Sequence, residues 1–420
     1  MTSQTNKVTN NVNIGRTVAG ANKRNPRMAQ RRIPAVYMRG GTSKGVFFRA
    51  DSLPDDPRER DRLLLRVIGS PDPYGKHIDG MGGATSSTSK VVLVSKSSRP
   101  DCDVDYLFGQ VAIDVPLIDW SGNCGNLTTA VGPFAIAQGL VKAAADGISP
   151  VRIWQVNISR RIIAHVPMRG GEVEEDGDFE LDGVAFPAAE IRLEFLDAGG
   201  VGDAPLLPTG NPTDELNVPG VGRIAATLIN AGNPTVIVEA SSLGLKGTEM
   251  QGDVNGDPAL LGRCEAIRAH GAVAMGLAAS AQEATKSRPA TPRLAFVAPP
   301  LAYTSSSGKP VRQADIDMVA RFLSMGALHH ALPGTGAVGL AVAAALPGTL
   351  AHRIVGDKSA GGRQVRLGHP SGTLPVGAEM IREGGVWRVS KAIVSRSARR
   401  LMAGEVLVPP PYAGWCAGIK

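Results

Sequence analysis

The sequence predicts an α+β fold built from two halves of the same style, and three observations carry that reading. Short β-rich segments alternate with a few Ala-rich helical ones along all 420 residues. Two glycine turns, Ser121–Asn126 and Pro333–Ala337, each precede an apolar helical stretch. Between Asp197 and Asn217 the chain is rich in Gly, Pro and Asp, which reads as a crossover between the halves. A chain of this length suits two ordinary domains or one large duplicated fold. The expected division is a disordered basic extension over 1–32, one half over 33–200 and another over 201–420, its last segment free to pack back on the first half.

Taken in order, Ile33–Met38 and Val46–Arg49 read as strands around the turn Gly40-Gly41. Val91–Ser95 and Tyr106–Val115 follow as strands, and Val151–Val166 holds at least one more. A helix runs from Asn126 to about Gln138, with Pro133 kinking it or marking a late start. In the second half Thr235–Glu239 and Arg293–Val297 read as strands, and Pro258–Gly276 and Ala314–Met325 as helices. The run Gly336–Leu346 is a further, buried helix.

Composition excludes several classes. The formal net charge is +7, but Lys7, Arg16, Lys23, Arg24, Arg27, Arg31 and Arg32 account for all of it, with no acid among residues 1–32. The body is therefore formally neutral, and aromatics at 4% are too sparse for a base-stacking surface, which argues against nucleic acid. No run approaches the roughly 20 apolar residues of a membrane span. The basic start is polar and unpatterned, lacks the apolar core of a secretory signal and reads as disordered; Met28 is an alternative point of initiation. Cys102, Cys124, Cys264 and Cys416 form no C-x-x-C pair, which speaks against structural zinc or a disulfide scaffold and for a reducing cytoplasm.

Each motif has a plain alternative. Gly41-Thr-Ser43-Lys-Gly45 matches the G-x-S-x-G elbow, but that elbow needs a helix after it and Val46-Phe-Phe-Arg49 reads as a strand, so a hairpin turn is expected. Ser87-Thr-Ser-Lys90 matches S-x-x-K, yet Val91-Val-Leu-Val94 favours a strand where an acyl-enzyme needs a helix. Lys90 itself stands at a strand mouth after glycines and hydroxyls. Burial there would lower its pKa until the neutral amine serves as a base; the plain alternative is a solvated surface charge. Cys124 precedes a helix, where the dipole eases proton exchange at sulfur; otherwise it is a small buried apolar residue. The two glycine turns would aim free backbone N–H groups at an anion, or else are ordinary helix starts. His329, His330 and His352 show no metal-ligand spacing, whereas His369-Pro-Ser371-Gly is a turn able to place a donor in a pocket. No phosphate loop or dinucleotide fingerprint is present, so neither a cofactor nor a metal is expected.

Five stretches together carry a resemblance: Met38–Gly45, Ile78–Lys90, Asp105–Gln110, Trp120–Asn126 and Gly368–Gly372. They resemble the 2-methylaconitate cis–trans isomerase family of the methylcitrate route of propionate breakdown, over about Ile33 to Val408. The resemblance implies a diaminopimelate epimerase-like fold, two pseudo-symmetric halves each with a β-barrel-like sheet around a central helix and the active site between them. It also implies Lys90 and Cys124 as catalytic residues, whereas Pro333 stands where the epimerase would carry a second cysteine. Arg39, Thr42, Ser43 and Lys44 are expected on substrate carboxylates. Asn123, Gly125, Asn126, Gly334, Thr335, Gly336, His369 and Ser371 are expected around them. The implied reaction is proton abstraction from a tricarboxylate through a dienolate. A functional partner would be an iron–sulfur 2-methylcitrate dehydratase, and a homodimer is possible within the same resemblance. The alternatives are a 4-oxalomesaconate tautomerase and a non-catalytic accessory protein of the dehydratase.

Overall fold

Residues 30–199, 204–357 and 364–410 are described by a computed structural model. The chain enters through Arg31–Gly40, turns at Gly41-Thr42 and returns antiparallel as Ser43–Arg49. That strand lies parallel to Lys90–Lys96 across a crossover containing the helix Pro57–Ile68. Lys90–Lys96 pairs antiparallel with Val104–Val111, which lies parallel to Gly147–Gln155 across the helix Gly125–Ala137. Arg160–Arg169 and Ile191–Leu196 then add antiparallel.

The second half repeats this order. Gly222–Ala231 and Asn233–Glu239 form the hairpin, and Arg293–Ala298 lies parallel across the helix Pro258–Ala274. Met318–Ser324 follows antiparallel. Gln364–His369 lies parallel to it across the helix Gly334–Ala345, and Gly372–Glu383 and Val386–Arg396 complete the run. Val386–Arg396 pairs with Ile191–Leu196 and Ala398–Val408 with Arg31–Gly40, so all the described strands except the small hairpin Tyr303–Thr304 and Pro310–Val311 join in one continuous sheet. Both crossover helices open on the same chemistry. Asp56 accepts from the Arg58 N–H, Asp257 accepts from those of Ala259 and Leu260, and each is followed by a proline whose fixed φ suits a first helical position.

The helices Gly125–Ala137 and Gly334–Ala345 are each wrapped by one half of this sheet. Gly334–Ala345 is buried at every residue and Gly125–Ala137 from Gly125 to Ala135, as expected of helices wrapped on all sides rather than amphipathic ones. Their starts press together: a Cβ on Gly125 would lie 2.6 Å from the Thr335 N, and one on Gly334 would lie 2.8 Å from the Gly125 carbonyl carbon. Each hairpin turn meets its own helix at an equivalent place. A Cβ on Gly40 would stand 2.5 Å from the Asn126 carbonyl oxygen, and one on Gly232 would stand 2.6 Å from that of Thr335.

Two expectations are corrected. Ala314–Met325 is not a helix: Met318–Ser324 is a strand with both faces buried between two neighbours, and a short apolar run of this kind has no periodicity to separate the two states. Arg31 and Arg32 do not belong to a disordered extension; they begin the first strand and pair with Glu59 and Glu405. The rest of that extension, through residue 29, lies outside the described residues, as does Cys416. The helix after Asn126 starts early, at Gly125, with Pro133 inside it. The strand expected to reach Val115 ends at Val111.

Adding a methyl group where the helix starts meet should be costly. Gly334→Ala is expected to destabilise by about 1–3 kcal/mol, the usual penalty of overpacking. Gly262→Ala, at a helical position with open space around it, should stabilise by up to about 1 kcal/mol. Urea midpoints of the two variants check the contrast.

Candidate active site

Lys90 is the first residue of its strand and only 3% exposed. Its Nζ donates to Gln110 Oε1 at 2.5 Å and stands 5.0 Å from the Phe108 ring centroid. Gln110 is the cross-strand partner of Lys90, and its amide donates in turn to the Ser89 carbonyl at 3.1 Å. The ammonium is thus held by neutral and aromatic groups. Burial pushes its pKa down to about 8; negative charge on the Cys124 sulfur opposes this, and Arg293, more weakly, adds to it.

Cys124 caps the first central helix, its Sγ accepting the Leu127 N–H at 3.4 Å. The Tyr106 hydroxyl donates to the Cys124 carbonyl at 3.4 Å and that of Thr128 at 2.9 Å. Asn233, wholly buried at the second hairpin, ties both helix starts together. Its Oδ1 accepts the Asn123 N–H at 2.8 Å, and its Nδ2 donates to the Asn123 carbonyl at 2.8 Å and to Thr335 Oγ1 at 3.2 Å.

The first hairpin is fastened to the other side of the same helix. Asn126 Nδ2 donates to Thr42 Oγ1 at 2.9 Å and Ser43 Oγ at 3.4 Å, while its Oδ1 accepts from Arg396 Nε at 3.2 Å. Arg396 is fully buried, and burial pulls its pKa down to about 10. Arg293 is equally buried, its pKa lowered by desolvation, and its Nε has no hydrogen-bond partner. Neither is among the ion pairs of the described residues.

A cleft of about 990 Å³ opens above this floor. Arg39, Thr42, Ser43 and Lys44 line it, with Ser87 and His329 on other walls. Arg39 is partly committed already, its Nη1 donating to the carbonyls of Gly41 and Ser397. Lys90 and Cys124 do not line the open space; they lie beneath it. The structure therefore brings Lys90, Cys124, Asn123, Gly125, Asn126 and the Gly334–Gly336 turn into one buried floor, with Thr42 and Ser43 joined to it through Asn126. His369 and Ser371 sit to one side and are not cleft-lining. Ser371 Oγ donates to the His330 carbonyl at 2.6 Å, and burial together with Arg396 and Arg321 pulls the His369 imidazole down to about 3.

Sequence reasoning did not single out Asn233, Arg293 or Arg396, held Gln110 only as part of a motif, and noted His329 only for its lack of metal-ligand spacing. Arg293 carried a signal, a lone cation opening the apolar strand Arg293–Ala298. Asn233 carried none, since its role depends on a contact with residue 123.

Among the described residues no group of three or more His, Cys, Asp or Glu is arranged to hold a metal ion, and no helix is long and apolar enough to cross a membrane. Two helices whose starts meet, each wrapped by one half of a continuous sheet, thus share one buried floor. The chain belongs to the PrpF protein family, whose model matches residues 30–409. It is 58% identical over 394 residues to the 2-methyl-aconitate isomerase of Shewanella oneidensis, covering 91% of this chain and 98% of that one. The crystal structure of a methylitaconate-delta-isomerase superposes with a TM-score of 0.71 at 38% identity, over 92% of this chain and 99% of its own. A hydroxyproline epimerase from Agrobacterium vitis shares the fold, with a TM-score of 0.52 at 13% identity over 93% and 98% of the two chains. The chain is accordingly an isomerase of α+β, epimerase-like architecture.

The Lys90 amine should titrate with a midpoint near pH 8, read from its Nζ resonance in ¹⁵N-labelled protein. Arg293 disfavours the protonated amine, so Arg293→Gln should move that midpoint upward. A midpoint unmoved in the variant would mean the two cations do not share a field.

Proposed function

We propose that this chain isomerises 2-methylaconitate from trans to cis without a cofactor. The observation that carries the proposal is a buried lysine amine beside a helix-capping thiol, where two helix starts meet and the Arg293 Nε has no hydrogen-bond partner. Helix N-termini and unpaired buried guanidinium groups form a field suited to several carboxylates. The 58% identity to a curated isomerase of that name supports the choice of acid.

In this mechanism the neutral Lys90 amine takes a proton from the CH₂ that bears a carboxylate. The electron pair delocalises into a dienolate, and the original double bond becomes single. The substrate rotates about that bond, and a proton returned to the CH₂ carbon restores the double bond in the other geometry. Cys124 donates or shuttles this proton from the facing side. The backbone N–H groups at Gly125-Asn126 and Gly334–Gly336 offset the charge that develops on the carboxylates. Arg39, Thr42, Ser43 and Lys44 receive the outer carboxylates, since they line the cleft above the floor. Asn123 belongs to the floor beneath them, and Ser371 acts from behind the cleft wall, its Oγ donating to the His330 carbonyl.

In the same reading the chain acts in the cytoplasm, on the methylcitrate route beside an iron–sulfur 2-methylcitrate dehydratase. The scattered cysteines without a C-x-x-C pair support the compartment, and the family resemblance supports the route and the dehydratase.

The test is proton NMR of purified protein with 2-methyl-trans-aconitate in D₂O. Conversion to the cis isomer with deuterium entering the CH₂ is expected, and Lys90→Ala should lose about 10²–10⁴-fold in kcat, the usual contribution of a positioned base. Turnover of 4-oxalomesaconate and not of methylaconitate would transfer the same chemistry to a different substrate. Near-normal turnover by Lys90→Ala would overturn the mechanism.

A further inference from the structure

The two halves deliver unequal chemistry to the floor. In the first, a hairpin ending at Ile118-Asp119 leads through a short loop to Cys124, the N-cap of the central helix. In the second, the equivalent hairpin ends at Ala327-Leu328 and leads to Pro333, an N-cap with no side-chain hydrogen bond. Lys90 also belongs to the first half. The second half's loop therefore contributes no thiol and no amine, but it does carry His329.

His329 is placed with care. Its N–H donates to the Phe322 carbonyl at 2.8 Å, which fixes the backbone at the hairpin end. The ring stacks on His330 with centroids 4.6 Å apart and planes 23° apart. Its Nδ1 accepts the Ala331 N–H at 3.1 Å. A nitrogen that accepts cannot carry the proton, so the neutral ring is the Nε2–H tautomer. Nε2 has no protein partner among the described residues, and the residue lines the cleft although only 5% exposed. Burial, reinforced by His330, Lys90 and Arg293, holds its pKa well below the ordinary histidine value. The ring is a neutral donor.

We propose that His329 is a further catalytic residue of this isomerase, its Nε2–H donating to the substrate carboxylate on which negative charge develops as the carbon loses its proton. The proposal rests on the reading of the cleft as the site of allylic proton abstraction. The abstracted proton goes to the Lys90 amine, the electron pair spreads onto the carboxylate oxygens, and His329 keeps its proton throughout. A donor already neutral and locked in one tautomer needs no reorganisation as the charge appears, which is what makes such groups effective in a dry site. It also places electrophilic help from the second half opposite the base and thiol of the first.

Two amide substitutions separate the ring's two nitrogens. His329→Asn keeps an acceptor for the Ala331 N–H and removes the donor into the cleft. His329→Gln reaches into the cleft with an N–H. With 2-methyl-trans-aconitate, His329→Asn is expected to lose about 10²–10³-fold in kcat with little change in KM, the usual effect of removing one such donor, while His329→Gln recovers a large part of the loss. Equal and small losses in both variants, or a loss confined to KM, would overturn the catalytic role. A second readout does not need turnover. In ¹⁵N-labelled wild-type protein the His329 Nε2–H should be present from pH 5 to 8 and should shift when trans-aconitate is added. An Nδ1–H tautomer, or an unmoved resonance in the saturated protein, would overturn the proposal. A wild-type enzyme that binds trans-aconitate through His329 but isomerises none of the acids would instead defeat the functional reading and leave the donor standing.

Discussion

The close approach of the two central helix starts is the constraint on which the rest of the molecule depends. Gly125 and Gly334 lie so near one another that neither position has room for a methyl group. The adjacent polar groups are locked by Asn233, which bonds to the backbone of one loop and the threonine of the other. This brings the positive ends of two helices together in a dry interior, an arrangement that disfavours itself electrostatically until an anion is nearby. The sheets, the hairpin turns and the small residues of both helices are what hold it in place. Gly40 and Gly232 let each hairpin rest against a helix backbone, and the Ala- and Gly-rich helices let the sheets wrap them closely.

Around this point the protein gathers buried positive charge with few acids to balance it. Lys90 is held by a neutral amide, Arg396 reaches an asparagine oxygen, and one nitrogen of Arg293 is unpartnered. Burying such groups is costly, and a structure that keeps them is strained toward binding a ligand of opposite charge. The same desolvation that makes the site expectant toward anions also keeps the lysine amine close to neutrality. Anion binding and basicity therefore have one physical origin, the exclusion of water from the floor. Chemistry on a bound polycarboxylate follows from where the groups stand rather than from any unusual residue.

Much of this was legible from residues in a row. The glycine turns before the two helices, the strand after Lys90 and the hairpin at Gly41-Thr42 follow from local patterns, because turns and β-branched runs are short-range effects. The helix over Pro258–Ala274 was legible for the same reason. Met318–Ser324 was not, because a strand buried on both faces has lost the alternation that marks it and is recognised only by its neighbours. The roles of Gln110, Asn233 and Arg396 escaped notice because each acts on a residue far along the chain. His329 was visible as a histidine without metal spacing, but its ring orientation depends on Ala331 and the wall behind it.

By itself the sequence determined the periodicity of the elements, the repeated style of the halves, the family resemblance, and the candidacy of Lys90 and Cys124 through their motifs. The tertiary structure decided which groups share one floor, which of them reach the cleft, and how far water is kept out. The physical reason is range. Backbone conformation and capping are settled by residues a few positions apart, whereas burial, and with it the protonation of Lys90 and the tautomer of His329, exists only after strands and helices from both halves have closed around the same space.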